Sequence, residues 1–209
     1  MAGYWLQILK EKSFIRRIKM ITGIILASGF SKRMKEDKLL MKIDGVKMVE
    51  RVIESAKNSS LDDILLVYRK EEVKNIGDEY GIKTIYNPKA HLGQSEGLKL
   101  GVKEAANAEA YMFLVGDQPF MTTQLINKLI FEYKNSQASI IVPYYNGRNG
   151  NPTIFSSIYK NELLNVQGDK GGRDIIRNNL SIVKKVHIGD ERLGFDIDTP
   201  GDFMTKRQF

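Results

Sequence analysis

Three stretches of this chain are apolar at nearly every consecutive position: Ile21–Ser28 (ITGIILAS), Asp63–Arg69 (DILLVYR) and Ala110–Val115 (AYMFLV). A strand with one face in water alternates polar and apolar residues, whereas a strand covered on both faces has no reason to. Runs this short and this continuous predict strands buried on both sides. Between and after them the period changes to that of a helix, over Val46–Asn58, Glu71–Tyr80, Gln94–Ala106 and Thr122–Tyr133. The last of these lines up Leu125, Ile126, Leu129, Ile130 and Tyr133 on one face, with Thr122 or Thr123 as its cap. Lys83–Asn87 and Ser139–Tyr145 add two more strands, the first stopped by Asn87-Pro88. Strand and helix in alternation with short connections predict an α/β fold, a mostly parallel sheet between two helical layers.

After Tyr145 the rhythm loosens. NGRNGNPTIFSS holds Asn-Gly turn signals before a short strand, and GDKGGRDIIRNN is a glycine-rich charged loop entering a helix. A strand over Ile182–Ile188 and the segment GFDIDTPGD precede a short final helix. The absence of repeats and of low-complexity linkers reads as one domain over residues 21–209, with residues 1–20 as an N-terminal extension. That extension carries +4 of the chain's net charge of +7. It reads either as a dispensable or upstream-start segment or as a small amphipathic helix for a partner or acidic surface.

Composition excludes several chemistries. With no Cys there are no disulfides, thiolate metal sites or cysteine nucleophiles, and two histidines, His91 and His187, do not make a multi-histidine centre. The rest of the chain is near charge balance and lacks basic stretches interleaved with aromatics, which argues against nucleic acid. No apolar run reaches the ~18 residues of a membrane span, so the reading is a soluble cytoplasmic protein.

In parallel α/β sheets ligands bind beyond the carboxyl ends of the strands. Two such ends carry charge. The first strand runs into LASGFSKRM, with Leu26, Ala27, Ser28, Gly29, Ser31 and Arg33, and Lys38 follows. Here a tight turn at Gly29 would line up backbone N–H groups as an anion nest. Arg33 would clamp phosphate oxygens and Lys38 add a mobile positive charge. Neither a Walker A loop nor a dinucleotide fingerprint is present. The third strand ends in FLVGDQPF, which puts Asp117 where a Mg²⁺ ligand would stand, or where a turn residue would. In GFDIDTPGD, Asp196 and Asp198 are one residue apart and would share a face of an extended segment. Either completes a metal site, or Asp198 or Thr199 caps the helix that starts at Pro200.

The ordered set LASGFSKRM…K, GDQP, GNPTIF, GDKGGR and DIDTPGD resembles the MobA-like nucleotidyltransferases, most closely the molybdenum cofactor cytidylyltransferases, from about Ile21 to Phe203. The resemblance implies a Rossmann-like, three-layer nucleotidyltransferase fold. It places Leu26, Ala27, Gly29, Ser31, Arg33 and Lys38 on the nucleoside triphosphate, with Ser28 standing where the family usually has Ala or Gly. Lys35 likewise replaces a usual Gly. The Mg²⁺ ligand falls on Asp117 and its acidic partner on Asp198, with Asp196 close behind. Gly93, Gln94 and Ser95 fall near nucleobase and ribose, and Asn151, Pro152, Gly171 and Arg173 on the pterin substrate.

The implied reaction is transfer of CMP from CTP to the terminal phosphate of molybdopterin, with or without its metal, releasing pyrophosphate. A molybdenum hydroxylase is the implied recipient of the product. Arg33, Lys38 and Asp117 would be the catalytic groups. Two other readings stand beside it. One is a guanylyl, sugar-phosphate or isoprenoid-precursor transferase with the same first half. The other is a non-catalytic chaperone that binds the cofactor without releasing pyrophosphate.

Overall fold

The structure is a computed structural model that describes residues 20–30, 34 and 37–206. The readings made for residues 1–19 and for Ser31, Arg33 and Lys35 lie outside the described residues. The central sheet is built from β1 (Ile21–Ala27), β4 (Asp63–Tyr68), β5 (Lys83–Tyr86), β6 (Ala110–Val115), β7 (Ile140–Tyr145), β9 (Thr153–Ser156) and β10 (Val183–Ile188). Their order is β10-β7-β9-β6-β1-β4-β5. β1 lies parallel between β4 and β6, pairing Ile24 with Leu65 on one side and with Phe113 on the other. β9 alone among these runs antiparallel, between β6 and β7.

The consecutive apolar residues of each central strand serve two cores. Ile25, Leu66, Met112 and Leu114 face α1 (Met48–Lys57), α2 (Glu71–Glu79) and α4 (Thr123–Lys134). Ile24, Leu65, Val67, Tyr111 and Phe113 face α3 (Gln94–Glu104), α5 (Lys160–Leu164) and α6 (Arg173–Asn178). This is a three-layer α/β/α fold of the Rossmann-like kind, as the unbroken apolar runs predict. Thr122 caps α4, its hydroxyl accepting from Leu125 N at 3.3 Å. Among the described residues no helix is long and apolar enough to cross a membrane.

Two local differences from the sequence reading have simple causes. The helix expected from Val46 starts at Met48, because Val46–Lys47 (β3) folds back on Lys42–Ile43 (β2). Asp44 and Gly45 turn that hairpin with φ of 51° and 85°, the conformation two-residue hairpins require. The same chemistry recurs at Asn146 (φ 39°) and Gly147 (φ 87°), where β7 turns into the short β8 (Arg148–Asn149). That hairpin sends the chain back to place β9 in the sheet.

On the second face α3 lies unusually close to the sheet. A Cβ on Gly101 would sit 2.4 Å from Ile24 Cγ2, and one on Gly97 would sit 3.0 Å from Ser28 Oγ. These glycines, one helical turn apart, let α3 press onto β1, so that its N-terminus stands over the carboxyl end of that strand.

Candidate active site

The site is built from three chain segments that meet beyond β1 and β6. From the first loop, Asp37 opens a single turn of 3-10 helix over Lys38–Leu40. Its Oδ1 accepts from Leu39 N (3.2 Å), and its Oδ2 lies 3.3 Å from Arg69 Nη2 and 3.4 Å from Lys70 Nζ at the end of β4. The side chain is only 4% exposed, so the pedestal beneath Lys38 is rigid on its inner side. Leu39 plugs into the core next to it. The Arg69 guanidinium also stacks 4.3 Å from the Phe30 ring centroid, fixing the near end of the same loop.

Lys38 reaches across to the other two segments. Its Nζ lies 2.6 Å from Asp117 Oδ2 and 2.7 Å from Asp198 Oδ1. Asp117 follows Gly116, whose N–H continues the sheet by donating to Leu26 O at 3.1 Å. Asp198 arrives on the C-terminal segment, anchored through Ile197, which is fully buried and donates its N–H to Asp117 O. Burial would lower the Lys38 pKa, but Asp117 and Asp198 outweigh it and hold the ammonium above its ordinary value.

Thr199, and not Asp198, caps α7 (Pro200–Lys206). Its hydroxyl accepts from Asp202 N (3.1 Å), while the Asp202 carboxylate accepts from Thr199 N (3.0 Å) and Asp198 N (3.2 Å). The Asp198 carboxylate turns to Lys38 instead. Asp196 lines the same cavity of about 420 Å³ as Asp198, and its Oδ1 accepts from Gln118 Nε2 at 2.9 Å, an amide that also donates to Gly194 O. Although the residue as a whole is exposed, its carboxyl is enclosed. Desolvation first, then the Asp117 and Asp198 charges, push it up to about 6 against the Gln118 hydrogen bond and Lys38. Tyr145 stands beside it, pushed well up by burial and by Asp196, with its hydroxyl donating to Asn151 O at 2.8 Å.

Among the described residues, cavities of about 520 and 420 Å³ adjoin this cluster, and a third of about 370 Å³ lies next to them. The largest is lined by Leu26, Ser28, Gly29, Lys38, Gly93, Gln94, Asp117 and Asp198, so Leu26, Gly29 and Lys38 of the residues expected on the triphosphate line one cleft. The other two are lined by Asn149, Gly150 and Asn151, one of them with Gly171 and the other with Asp196. Arg173 lines all three, and so stands at their junction. Pro152 is buried beside Asn151 and lines none of the three.

Some expected residues stand elsewhere. Ser95 is wholly buried and lines no wall of that cleft; its place is in the packing of α3. Ala27 is 3% exposed and belongs to the core. Gly29 has no left-handed φ, and a Cβ there would meet nothing within 4 Å among the described residues, so backbone conformation does not demand glycine at this position. What its missing side chain leaves is room at the cleft mouth. Ser28 has a role the family's usual Ala or Gly could not fill, since its Oγ accepts from buried Asn87 Nδ2 at 2.9 Å.

Sequence reasoning missed Asp169. Its Oδ1 accepts from Gln94 N at 3.0 Å and Gly168 O accepts from Ser95 N at 3.1 Å, so the GDKGGR loop caps α3. Gly93 is needed here: its φ is 114° and a Cβ would sit 2.9 Å from both Gly168 and Asp169. Asp37, Phe30 and Leu92 also went unassigned, though the last two line the cleft, as does His91.

The geometry can be set beside known proteins. The description "MobA-like NTP transferase domain" fits residues 23–184. The chain belongs to the MobA-like NTP transferase family. The transferase is 32% identical over 143 residues to the probable molybdenum cofactor guanylyltransferase of Natranaerobius thermophilus, covering 68% of this chain and 67% of that one. It is 27% identical over 204 residues to the purine catabolism protein PucB of Bacillus subtilis, covering 92% and 98%. Among solved structures, Rv0371c from Mycobacterium tuberculosis H37Rv has the same fold, with a TM-score of 0.79 at 21% identity and coverage of 91% and 98%. The chain is thus a nucleotidyltransferase related to enzymes of molybdenum cofactor biosynthesis. The family match stops before Asp196 and Asp198, and it is the fold that carries Asp198 to Lys38.

Proposed function

We propose that this transferase moves CMP from CTP to the terminal phosphate of molybdopterin and releases pyrophosphate. The observation that carries the reading is the junction itself. Lys38, Asp117 and Asp198 meet at the edge of a cleft large enough for a nucleotide, and Arg173 joins that cleft to two further cavities. A phosphate oxygen of the acceptor attacks the α-phosphorus, the bond from that phosphorus to the β-phosphate oxygen breaks, and pyrophosphate departs with the electron pair. The nucleophile is already anionic, so no strong base is required; the chain has to align two anions and neutralise their charge. Lys38 supplies a positive charge at the triphosphate end. Arg173, which lines all three cavities, would hold the acceptor phosphate with its planar fork.

The residues also fit a divalent cation. Asp117 and Asp198 already converge on one cationic point, with oxygens 2.6 and 2.7 Å from it, and both are hard donors. A bound Mg²⁺ would supply Lewis-acid neutralisation of the phosphate oxygens. Asp196 is held by Gln118 and would stand behind these two. A molybdenum hydroxylase would receive the dinucleotide product.

The test is pyrophosphate release by the purified chain with molybdopterin and each of CTP, GTP and UTP. CTP should be preferred, and Lys38→Met or Asp117→Asn should each lower kcat by about 10²–10³. Preference for GTP would make it a guanylyltransferase, in line with the name of one relative. Binding without pyrophosphate release in any combination would refute the assigned substrates.

A further inference from the structure

We infer that the Lys38 ammonium and a divalent metal are alternative occupants of one seat between Asp117 and Asp198, so that the nucleotide-free protein resists the metal and admits it together with a triphosphate. The inference rests on the metal site proposed above.

The argument is geometric. Nζ lies 2.6 Å from Asp117 Oδ2 and 2.7 Å from Asp198 Oδ1, with the lysine side chain only 15% exposed. A magnesium ion bridging the same oxygens would need to lie roughly 2.0–2.1 Å from each. Two cations cannot both fit that space, since the ion's coordination sphere would overlap the ammonium and the charges repel at short range. Either the lysine leaves or the metal stays out.

The lysine cannot leave by moving its backbone. Asp37 caps Leu39 N and is pinned by Arg69 and Lys70, and Leu39 is buried in the core. Only the side-chain stem can swing. Once swung, the ammonium needs another anion, because a cation in a half-enclosed cleft is costly unless paired. Among the described residues, the one carboxylate besides Asp117 and Asp198 that lines this cleft is Asp169. Its Oδ1 is engaged by Gln94 N across the base of α3. A triphosphate in the cleft brings the missing anion, and its oxygens accept the displaced ammonium while the metal takes the vacated carboxylates. The exchange keeps every charge paired. By linkage, the metal must tighten nucleotide binding by the same factor as nucleotide tightens metal binding.

The experiment uses Mn²⁺ as the probe and follows free ion by electron paramagnetic resonance, with the full chain lacking nucleotide. Lys38→Met should bind Mn²⁺ at least about tenfold more tightly than the wild type, and Lys38→Met with Asp117→Asn should lose that gain. Adding a non-hydrolysable CTP analogue should tighten Mn²⁺ binding far more in the wild type than in Lys38→Met. Should Lys38→Met fail to fold, Lys38→Gln, which keeps a polar stem, takes its place in the same comparison. Equal nucleotide-free affinity in wild type and lysine variants overturns the inference while leaving the metal site intact. If neither protein binds Mn²⁺ even with the analogue, the metal site itself is wrong, and the inference goes with it.

Discussion

Asp37 is the side chain on which the aim of Lys38 depends, and its removal has a cost that can be worked out. Two contributions are lost in Asp37→Ala. The first is the cap on Leu39 N, typically ~1 kcal/mol. The second is the carboxylate facing Arg69 and Lys70. The acid is 4% exposed while its partners are 22% and 36% exposed, which places the pair between a surface bridge and a buried one. Surface pairs are worth about 0–1 kcal/mol and breaking a buried one costs about 3–5, so a value near 2 is appropriate. Asp37→Ala should therefore lose about 3 kcal/mol. Asp37→Asn keeps an oxygen to accept from Leu39 and should lose about 2. Urea unfolding should show the midpoint falling in that order with an unchanged slope, and Tm should fall by roughly 6–12 °C for the alanine variant. Both variants should turn over more slowly than their remaining stability explains, because Lys38 sits on the turn that Asp37 starts. An alanine variant that unfolds at the wild-type midpoint would show that the buried pair contributes nothing and that the pedestal argument is wrong.

Other consequences follow from the same contacts. Asp169→Ala should weaken nucleotide binding in calorimetry by about tenfold while Tm falls by only about 2–4 °C, and Asp169→Asn, which can still accept from Gln94 N, should restore most of both. A uniform loss with both replacements would show that charge, and not the cap, matters there. Gly101→Val puts a Cβ 2.4 Å from the fully buried Ile24, and should destabilise by about 2–3 kcal/mol in urea unfolding. Asp196 has a folded pKa near 6 against an ordinary 3.8, so between those values the native state holds its proton more tightly than the unfolded chain. Its contribution to stability therefore falls as pH rises through that window, and Asp196→Asn should raise Tm relative to wild type above about pH 6 but not near pH 4. A difference independent of pH would rule out the enclosed carboxyl as its source.

Much of the fold is legible because its central strands leave no alternative. Ile24 and Ile25 face opposite helical layers, and so do Leu65 and Leu66, so consecutive apolar residues mean a strand covered twice. The turn chemistry of Asn146-Gly147 is equally plain in the sequence. The reversal of β9 is not, since nothing in Thr153–Ser156 states which neighbour it joins; that depends on the hairpin before it and on a gap between β6 and β7. The early end assigned to the Val46 helix failed for a related reason. Val46 and Lys47 have no helical fault of their own and are drawn into a hairpin by Asp44-Gly45.

The site divides along the same line. Lys38, Asp117 and Asp198 are separated by 79 and 160 positions, yet their meeting is foreseeable, because parallel strands bring all their carboxyl ends to one edge and each of these residues follows such an end or the last loop. What the pattern of residue types does not contain is direction. Asp196 and Asp198 alternate as an extended segment should, yet one side chain meets Gln118 and the other Lys38. Ser95 looks like a ligand residue next to Gly93 and Gln94 until the helix closes on the sheet, and the closeness that buries it comes from two glycines further along, Gly97 and Gly101. The aim of each side chain thus depends on packing decided elsewhere in the chain. That is why Asp37 and Asp169, which touch the cleft chiefly through the residues they hold, carry so much of the geometry while showing no motif of their own.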